Sequence, residues 1–387
     1  MDIDCLLSKK VQDINPSKIR KFFDLAAEVE DVISLSVGEP DFFTPWVIRN
    51  EAIKTIESRR QVYSANAGML ALRKEISKYT ERKIGVKYNP KTDIVVTVGG
   101  SEAIDIAIRA IIDDGDEVII PEPSFVCYAP IVKLAGGVPV IIETTVEEKF
   151  KLTPSSFEKA ITPKTKLLIL PYPNNPTGAI MTKEDLEPIA DILRKHNIAV
   201  VSDEIYSELT YSAQHFSITQ FEDIKERTIL INGFSKSFAM TGWRLGYLCA
   251  NEKFVQQILK IHQYAIMCSP TVSQYAAITA LKNCDEEVQK MKEEYNVRRR
   301  YCVAEFNRLG LECFTPEGAF YVFPSIKSTG MSSDEFCEKL LHEKKVAVIP
   351  GNAFGDSGDG YIRVSYAYSL KHLSDAIKKI GEFLNHS

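Results

Sequence analysis

No apolar run in this 387-residue chain approaches the roughly 18 residues that a membrane-crossing helix needs, and no basic-plus-apolar leader opens it. Neither a membrane span nor export is therefore expected. The eight cysteines (Cys5, Cys127, Cys249, Cys268, Cys284, Cys302, Cys313 and Cys337) contain no C-x-x-C pair, and the six histidines show no H-E-x-x-H spacing. Zinc and dithiol redox chemistry thus lack a ligand pattern, so no metal is expected. Cysteines so dispersed read as reduced packing residues of a cytoplasmic protein. With a net charge of −5 the chain carries no basic footprint, which argues against nucleic acid as a partner. Its one basic run, Arg298-Arg299-Arg300, is short, lies among helix formers and reads as a solvated helix face. Repeats, low-complexity tracts and linkers are missing, as are the G-x-G-x-x-G and G-K-[ST] phosphate loops.

What the chain does have is length and apolar content, 45% hydrophobic residues over 387 positions, enough for about two domains. Strand-like apolar runs near 94–98, 117–121, 138–142, 167–171, 198–202 and 228–231 alternate with helix-like segments. Such alternation predicts an α/β fold with a mostly parallel sheet between helices, with ligand chemistry at the strand C-termini. After about residue 285 the pattern changes to a long charged helix over 285–309 and strand-like stretches at 319–323, 346–349 and 361–365. The expected organisation is an N-terminal segment (1–45), a large domain (46–285) and a C-terminal region (286–387) that joins the N-terminal segment in a smaller α+β domain.

Four segments carry the chemistry. Ser235-Lys236-Ser237 follows the apolar run Thr228-Ile229-Leu230-Ile231, and a lysine at the end of a buried strand can be desolvated into a nucleophilic amine. Eight residues on, Arg244 lies between Gly242 and Gly246, which suits a phosphate. A lysine for a Schiff base beside an arginine for a phosphate is what pyridoxal 5′-phosphate demands of a protein. A second apolar strand ends in Asp203, suited to hold a pyridinium proton, with Tyr206 three residues later. Taken alone, Asp203 reads equally as a helix cap or a solvated strand-end acid. Asn174-Asn175-Pro176-Thr177-Gly178 follows a third apolar run and by itself is an ordinary turn. Finally, Val95-Val96-Thr97-Val98 runs into Gly99-Gly100-Ser101 and an apolar-periodic helix, whose N-terminal amides with the Ser101 hydroxyl make a phosphate cradle.

In this order the four segments resemble the class I and II aminotransferases of the pyridoxal-phosphate fold-type I superfamily, over almost the whole chain from Asn15-Pro16-Ser17 to Arg363-Val364-Ser365-Tyr366. The resemblance implies a large domain built on a mostly parallel seven-stranded sheet, pyridoxal 5′-phosphate as cofactor, and a homodimer acting on an amino acid and a 2-oxo acid. It implies Lys236 as the Schiff-base lysine and proton carrier, and Ser235, Arg244, Gly100 and Ser101 around the phosphate. Asp203 would lie at the pyridine nitrogen, with Tyr206 and Asn175 at the 3′ oxygen and Phe125 stacked on the ring. Arg363 would clamp the substrate α-carboxylate, Gly38 would offer it backbone, and Asn175 would border it. Tyr63 matches a tyrosine that reaches the phosphate of the neighbouring subunit.

The same residues also serve carbon–sulfur lyases of this fold. A non-enzymatic regulator that senses the cofactor is a further reading, but needs a DNA-binding domain that this chain does not show. Substrate choice is the least legible part. An aspartate-specific subgroup carries a lysine at the position of Ser101, which this chain lacks. Its segment Pro16-Ser17-Lys18-Ile19-Arg20-Lys21-Phe22-Phe23 resembles that of aromatic aminotransferases, although Phe22 and Phe23 read equally as helix core. An aromatic donor is expected, with aspartate, alanine or an N-acyl diamino acid as alternatives.

Overall fold

Apolar side chains on both faces of successive short strands require cover on both sides, and the chain supplies it with helices. The computed structural model describes residues 3–58 and 61–385. After a short first strand, β1 (Ile33–Ser34), come β2 (Ile94–Thr97), β3 (Glu117–Glu122), β4 (Val138–Glu143), β5 (Thr165–Leu170), β6 (Ala199–Asp203), β7 (Thr228–Gly233) and β8 (Gly246–Cys249). These last seven form one sheet in the order β2-β8-β7-β6-β5-β3-β4, parallel except for β8, which is antiparallel to both its neighbours.

Alternate residues of each strand enter different cores. Val95, Leu167, Ile169, Val201, Ile229 and Leu248 pack with helices Gly99–Arg109, Tyr128–Leu134 and Glu252–Ala265. Val96, Leu168, Leu170, Val200, Leu230 and Tyr247 enter the core shared with helices Leu70–Ile84 and Lys183–Lys195. Each fully buried Leu or Ile here contributes about 1.5–3 kcal/mol. Helix ends follow local chemistry. The Thr182 side chain caps Lys183–Lys195 in a reciprocal capping box with Asp185, and Gly85 closes Leu70–Ile84 in the left-handed region at φ 69°.

The second region holds β9 (Tyr321–Val322), β10 (Val346–Ala347), β11 (Ile349–Pro350) and β12 (Ile362–Ser365), with helices Asp285–Arg308, Ser333–Lys344 and Leu370–Leu384. β11, β12 and β9 make an antiparallel three-stranded sheet, and β1 pairs in parallel with β10. The N-terminal chain is thereby tied to the C-terminal region, with the Leu35 N–H donating to Ala347 O at 2.8 Å and the Ser365 N–H to Leu35 O at 2.9 Å.

Three readings of the sequence need correction. β8 was not among the strand-like runs; its four residues are hidden behind the Gly242–Gly246 motif. The stretch 346–349 is two strands in different sheets. Arg298 is not on a solvated face: it is 5% exposed, stacks 5.3 Å from the Phe42 ring and forms a two-pronged ion pair with Asp41 at 2.8 Å. No disulfide links the described cysteines, and Cys249, Cys284, Cys302, Cys313 and Cys337 are buried packing groups.

Candidate active site

Chain segments leaving the C-terminal ends of the parallel strands converge on one cleft of about 310 Å³. β2 delivers Gly100 and Ser101, β3 Phe125, β5 Asn175, β6 Asp203 and Tyr206, and β7 Ser235 and Lys236; Arg244, Gly38 and Arg363 complete the lining. The main sheet therefore fixes one end of the cleft, and the region built from both chain ends closes over it.

Lys236 stands three residues beyond β7, and its Nζ donates to Gly38 O at 2.6 Å. Burial pulls its ammonium down to about 8; Glu39 opposes the shift, and Arg363 and Arg244 add to it. About a tenth of the amine is then neutral at pH 7, far more than for an ordinary lysine. Asp203 ends β6 and is pushed up to about 6 by burial, held back by a hydrogen bond from the Tyr128 hydroxyl at 2.7 Å and by the Ile205 N–H. It is a buried carboxylate with no cationic partner among the described residues, an arrangement that invites a cationic N–H.

At the other edge of the cleft, Gly99 adopts φ +80° at the start of helix Gly99–Arg109, and a Cβ there would lie 2.7 Å from Arg244 Nη2. Glycine adopts that backbone conformation readily and leaves the guanidinium room beside the helix N-terminus. Arg244 itself holds φ 51°, a conformation non-glycine residues seldom adopt, while its Nη1 donates to Thr241 O at 3.2 Å. Helix amides and an arginine with no ion-pair partner among the described residues make an anion site.

Arg363, in the middle of β12, is 3% exposed. Its Nη1 donates to Asn175 Oδ1 at 3.1 Å and its Nη2 to Ser36 O, while Nε has no partner. Its guanidinium also lies 4.5 Å from the Tyr321 ring. With no carboxylate beside it among the described residues, this buried charge is left to be met by a ligand anion.

Away from these polar groups the lining turns apolar, with Ile19 and Phe23 from helix Lys18–Ala27 and Val37 from the loop after β1, beside Glu39. Phe22, the neighbour of Phe23, is core at 3% exposure, so the pair is split between packing and the cleft. Tyr63 does not line the cleft of its own chain; it is 80% exposed. Sequence reasoning did not single out Tyr128, which holds Asp203, Ile205, which lines the ring site, or Tyr321, whose hydroxyl lies 2.9 Å from that of Tyr206. The spacing of Tyr128 three residues after Phe125 could have flagged the first, whereas nothing local flags Tyr321. A larger cavity of about 460 Å³ is lined in part by the Glu204–His215 segment, but its Glu208 is already paired with Lys83 at 3.0 Å and Glu204 with His215 at 2.6 Å. The smaller cleft, by contrast, gathers Arg244 and Arg363, neither with an ion-pair partner among the described residues.

Fold and cleft together are those of pyridoxal-phosphate enzymes of fold-type I. The solved structure of an aromatic aminotransferase from Pyrococcus horikoshii superposes with a TM-score of 0.91 at 42% identity, covering 95% of this chain and 99% of that one. The sequence profile of "Aminotransferase class I and II" matches residues 30–380, and the chain belongs to that family. It is 53% identical over 379 residues to YugH of Bacillus subtilis, 98% of each chain, a relative named for no particular substrate. It is 43% identical over 383 residues to a protein of Pyrococcus abyssi named aspartate aminotransferase, again 98% of each. The chain is a pyridoxal-phosphate-dependent transaminase. The chemistry of the cleft is compatible with that cofactor: the glycine turn beside Arg244 could hold a phosphate, Asp203 could accept from a ring N–H, and Lys236 has an amine whose ammonium form burial disfavours.

Proposed function

We propose that the enzyme transaminates aromatic L-amino acids, with a 2-oxo acid such as 2-oxoglutarate as acceptor, in a ping-pong cycle. The observation that carries this reading is the apolar wall of Ile19, Phe23 and Val37, in a cleft whose lysine and arginines among the described residues are Lys236, Arg244 and Arg363. Each of those cations has a task below, so none is left to read a second substrate carboxylate, and Ser101 brings no lysine in its place.

Pyridoxal 5′-phosphate, when bound, supplies a ring that accepts the electron pair left when the substrate's Cα–H bond breaks. In this reading Lys236 Nζ is the covalent anchor. With the cofactor bound, neutral Nζ would be the base that takes the substrate Cα proton and the acid that gives it back, the proton shift a transamination requires. Asp203 holds a proton on the ring nitrogen, and Tyr128 fixes that carboxylate in place. Ser235, Arg244, Gly100 and Ser101 hold the phosphate. Phe125 and Ile205 flank the ring. Arg363 grips the α-carboxylate with charge-assisted donors, and the Gly38 backbone borders it. Asn175 accepts from Arg363 through Oδ1, which leaves its NH₂ to donate to the 3′ oxygen beside Tyr206.

The active unit in this reading is a cytoplasmic homodimer, with residues 1–45 and 286–387 moving as the smaller domain over the larger. Exposed Tyr63, Phe43, Trp46 and Tyr264, at 80%, 87%, 61% and 88%, are large apolar groups suited to a covered face. Tyr63 then reaches the phosphate of the neighbouring subunit. Mixing inactive Lys236→Ala and Tyr63→Phe subunits tests the shared site, because exchange creates one intact site per heterodimer and activity should rise. No recovery despite proven exchange would refute it.

The substrate assignment is tested by comparing kcat/KM for tyrosine, phenylalanine, aspartate and alanine with 2-oxoglutarate. Aromatic donors should lead by at least about tenfold. An aspartate lead would replace the aromatic reading with the activity for which the Pyrococcus abyssi relative is named. Pyruvate release from cystathionine with no added 2-oxo acid would identify a carbon–sulfur lyase instead.

A further inference from the structure

Tyr321 touches three of the groups assigned above without having a task of its own. It comes from β9, in the region that closes over the sheet, and is 1% exposed. Its hydroxyl lies 2.9 Å from the Tyr206 hydroxyl, its ring carries the Arg363 guanidinium 4.5 Å from the centroid, and a Cβ on Gly38 would lie 2.3 Å from its oxygen.

We propose that Tyr321 is a positioning residue that donates its hydroxyl proton to Tyr206 Oη and so leaves the Tyr206 proton directed at the cofactor's 3′ oxygen. The inference rests on the reading of Tyr206 given under Proposed function and adds what aims it. A phenol has one proton to give and two lone pairs to receive. The Tyr321 hydroxyl has one hydrogen-bond partner among the described residues, Tyr206, and both rings are buried, at 1% and 5% exposure. Were Tyr206 the donor of the pair, its proton would be spent on Tyr321 and nothing would remain for the 3′ oxygen. The placement of charge favours the opposite direction. Arg363 lies 4.5 Å from the Tyr321 ring, whereas Lys236 lies 5.8 Å from the Tyr206 ring, and the nearer cation makes Tyr321 the readier proton donor. The Glu39 carboxylate acts against that bias at Tyr321, while Asp203 acts with it by holding the Tyr206 proton more firmly. A donor that itself receives a hydrogen bond is polarised and gives a stronger one, so Tyr321 strengthens the contact it aims. Gly38 has no side chain because the Tyr321 hydroxyl occupies the space where one would begin.

The test uses wild-type, Y321F, Y206F and Y206F/Y321F enzymes loaded with pyridoxal 5′-phosphate, titrating the bound cofactor's visible absorbance against pH. A hydrogen bond to the 3′ oxygen stabilises its anion, so weakening that bond makes the chromophore keep its proton to higher pH. Y206F should raise the midpoint most, and Y321F should raise it by roughly half a unit, the scale of part of one neutral hydrogen bond. The double variant should rise no further than Y206F alone. Phenylalanine keeps the ring beneath Arg363, so KM for the amino acid should hardly move in Y321F. An unmoved Y321F midpoint beside a raised Y206F midpoint overturns this inference and leaves the Tyr206 assignment standing. Additive shifts in the double variant, or a raised KM with no spectral change, overturn it as well, since they make Tyr321 an independent group or a packing support for Arg363. An unmoved Y206F midpoint overturns both readings.

Discussion

The two ends of the cleft are built on different principles. At the sheet end, polar side chains stand just beyond rigid parallel strands, and most have a partner that fixes their direction, as Tyr128 does for Asp203. At the opposite end, Ile19 and Phe23 project from the ten-residue helix Lys18–Ala27, and the wall they form with Val37 is apolar and unspecific in direction. In the proposed reading, chemistry that needs atoms held closely rests on the sheet, and a side-chain preference that needs only volume and polarity rests on the N-terminal segment. A family can then keep one reaction while its members differ in substrate, and the relatives, named both for aspartate and for aromatic substrates, do so differ.

That division can be broken from either side. The largest effect is expected at the sheet end: Lys236→Ala should lower kcat by about 10⁴-fold or more, since proton transfer by a positioned group alone reaches that scale. The fold should survive, because the one hydrogen bond of Nζ is to Gly38 O, and far-UV circular dichroism checks this. Arg363→Ala should cost about 2–5 kcal/mol in kcat/KM for every amino acid, the range for truncating one partner of a buried charge pair, with cofactor retention nearly unchanged. A loss smaller than about tenfold would remove Arg363 from the carboxylate role.

A pH experiment follows from Lys236. Because burial holds its ammonium at about 8, the neutral amine fraction grows as pH rises through that value. Capture of pyridoxal 5′-phosphate by the apoenzyme, followed by absorbance, should therefore accelerate by up to about tenfold per unit below pH 8 and level off above it. A lysine with its ordinary value would keep accelerating to beyond pH 10. The smallest effect belongs to the apolar end. Phe23→Ala should cost about 1–3 kcal/mol in kcat/KM with tyrosine or phenylalanine and little with alanine, sharpening the contrast if the wall reads side chains alone. Equal losses on all donors would show that this helix supports the whole cleft.

The same contrast explains what could be read from the chain before its structure. Lys236, Asp203, Asn175 and the Gly99–Ser101 turn each follow an apolar strand, so a local pattern marks both the residue and its place at a strand end. The alternation of strands and helices made the sheet legible for the same reason. β8 escaped because its four residues, Gly246–Cys249, are shorter than the patterned runs and follow directly on a glycine motif that draws attention to itself. Tyr321 escaped because its role depends on a partner 115 residues away, Tyr206, and no local period encodes such a meeting. Arg298 misled for a related reason. Three consecutive arginines look solvated in a charged helix, yet that helix turns one of them onto Asp41, 257 positions distant. Phe22 and Phe23 are adjacent and alike, and only helix rotation decides which enters the core and which the cleft.

The claim on which everything else depends is that Lys236 holds the cofactor, and trapping that bond tests it most directly. The purified enzyme loaded with pyridoxal 5′-phosphate is reduced with borohydride, digested and mapped by mass spectrometry. A single phosphopyridoxyl adduct on Lys236, abolished in Lys236→Ala, is expected; an adduct on any other lysine would place the bond elsewhere.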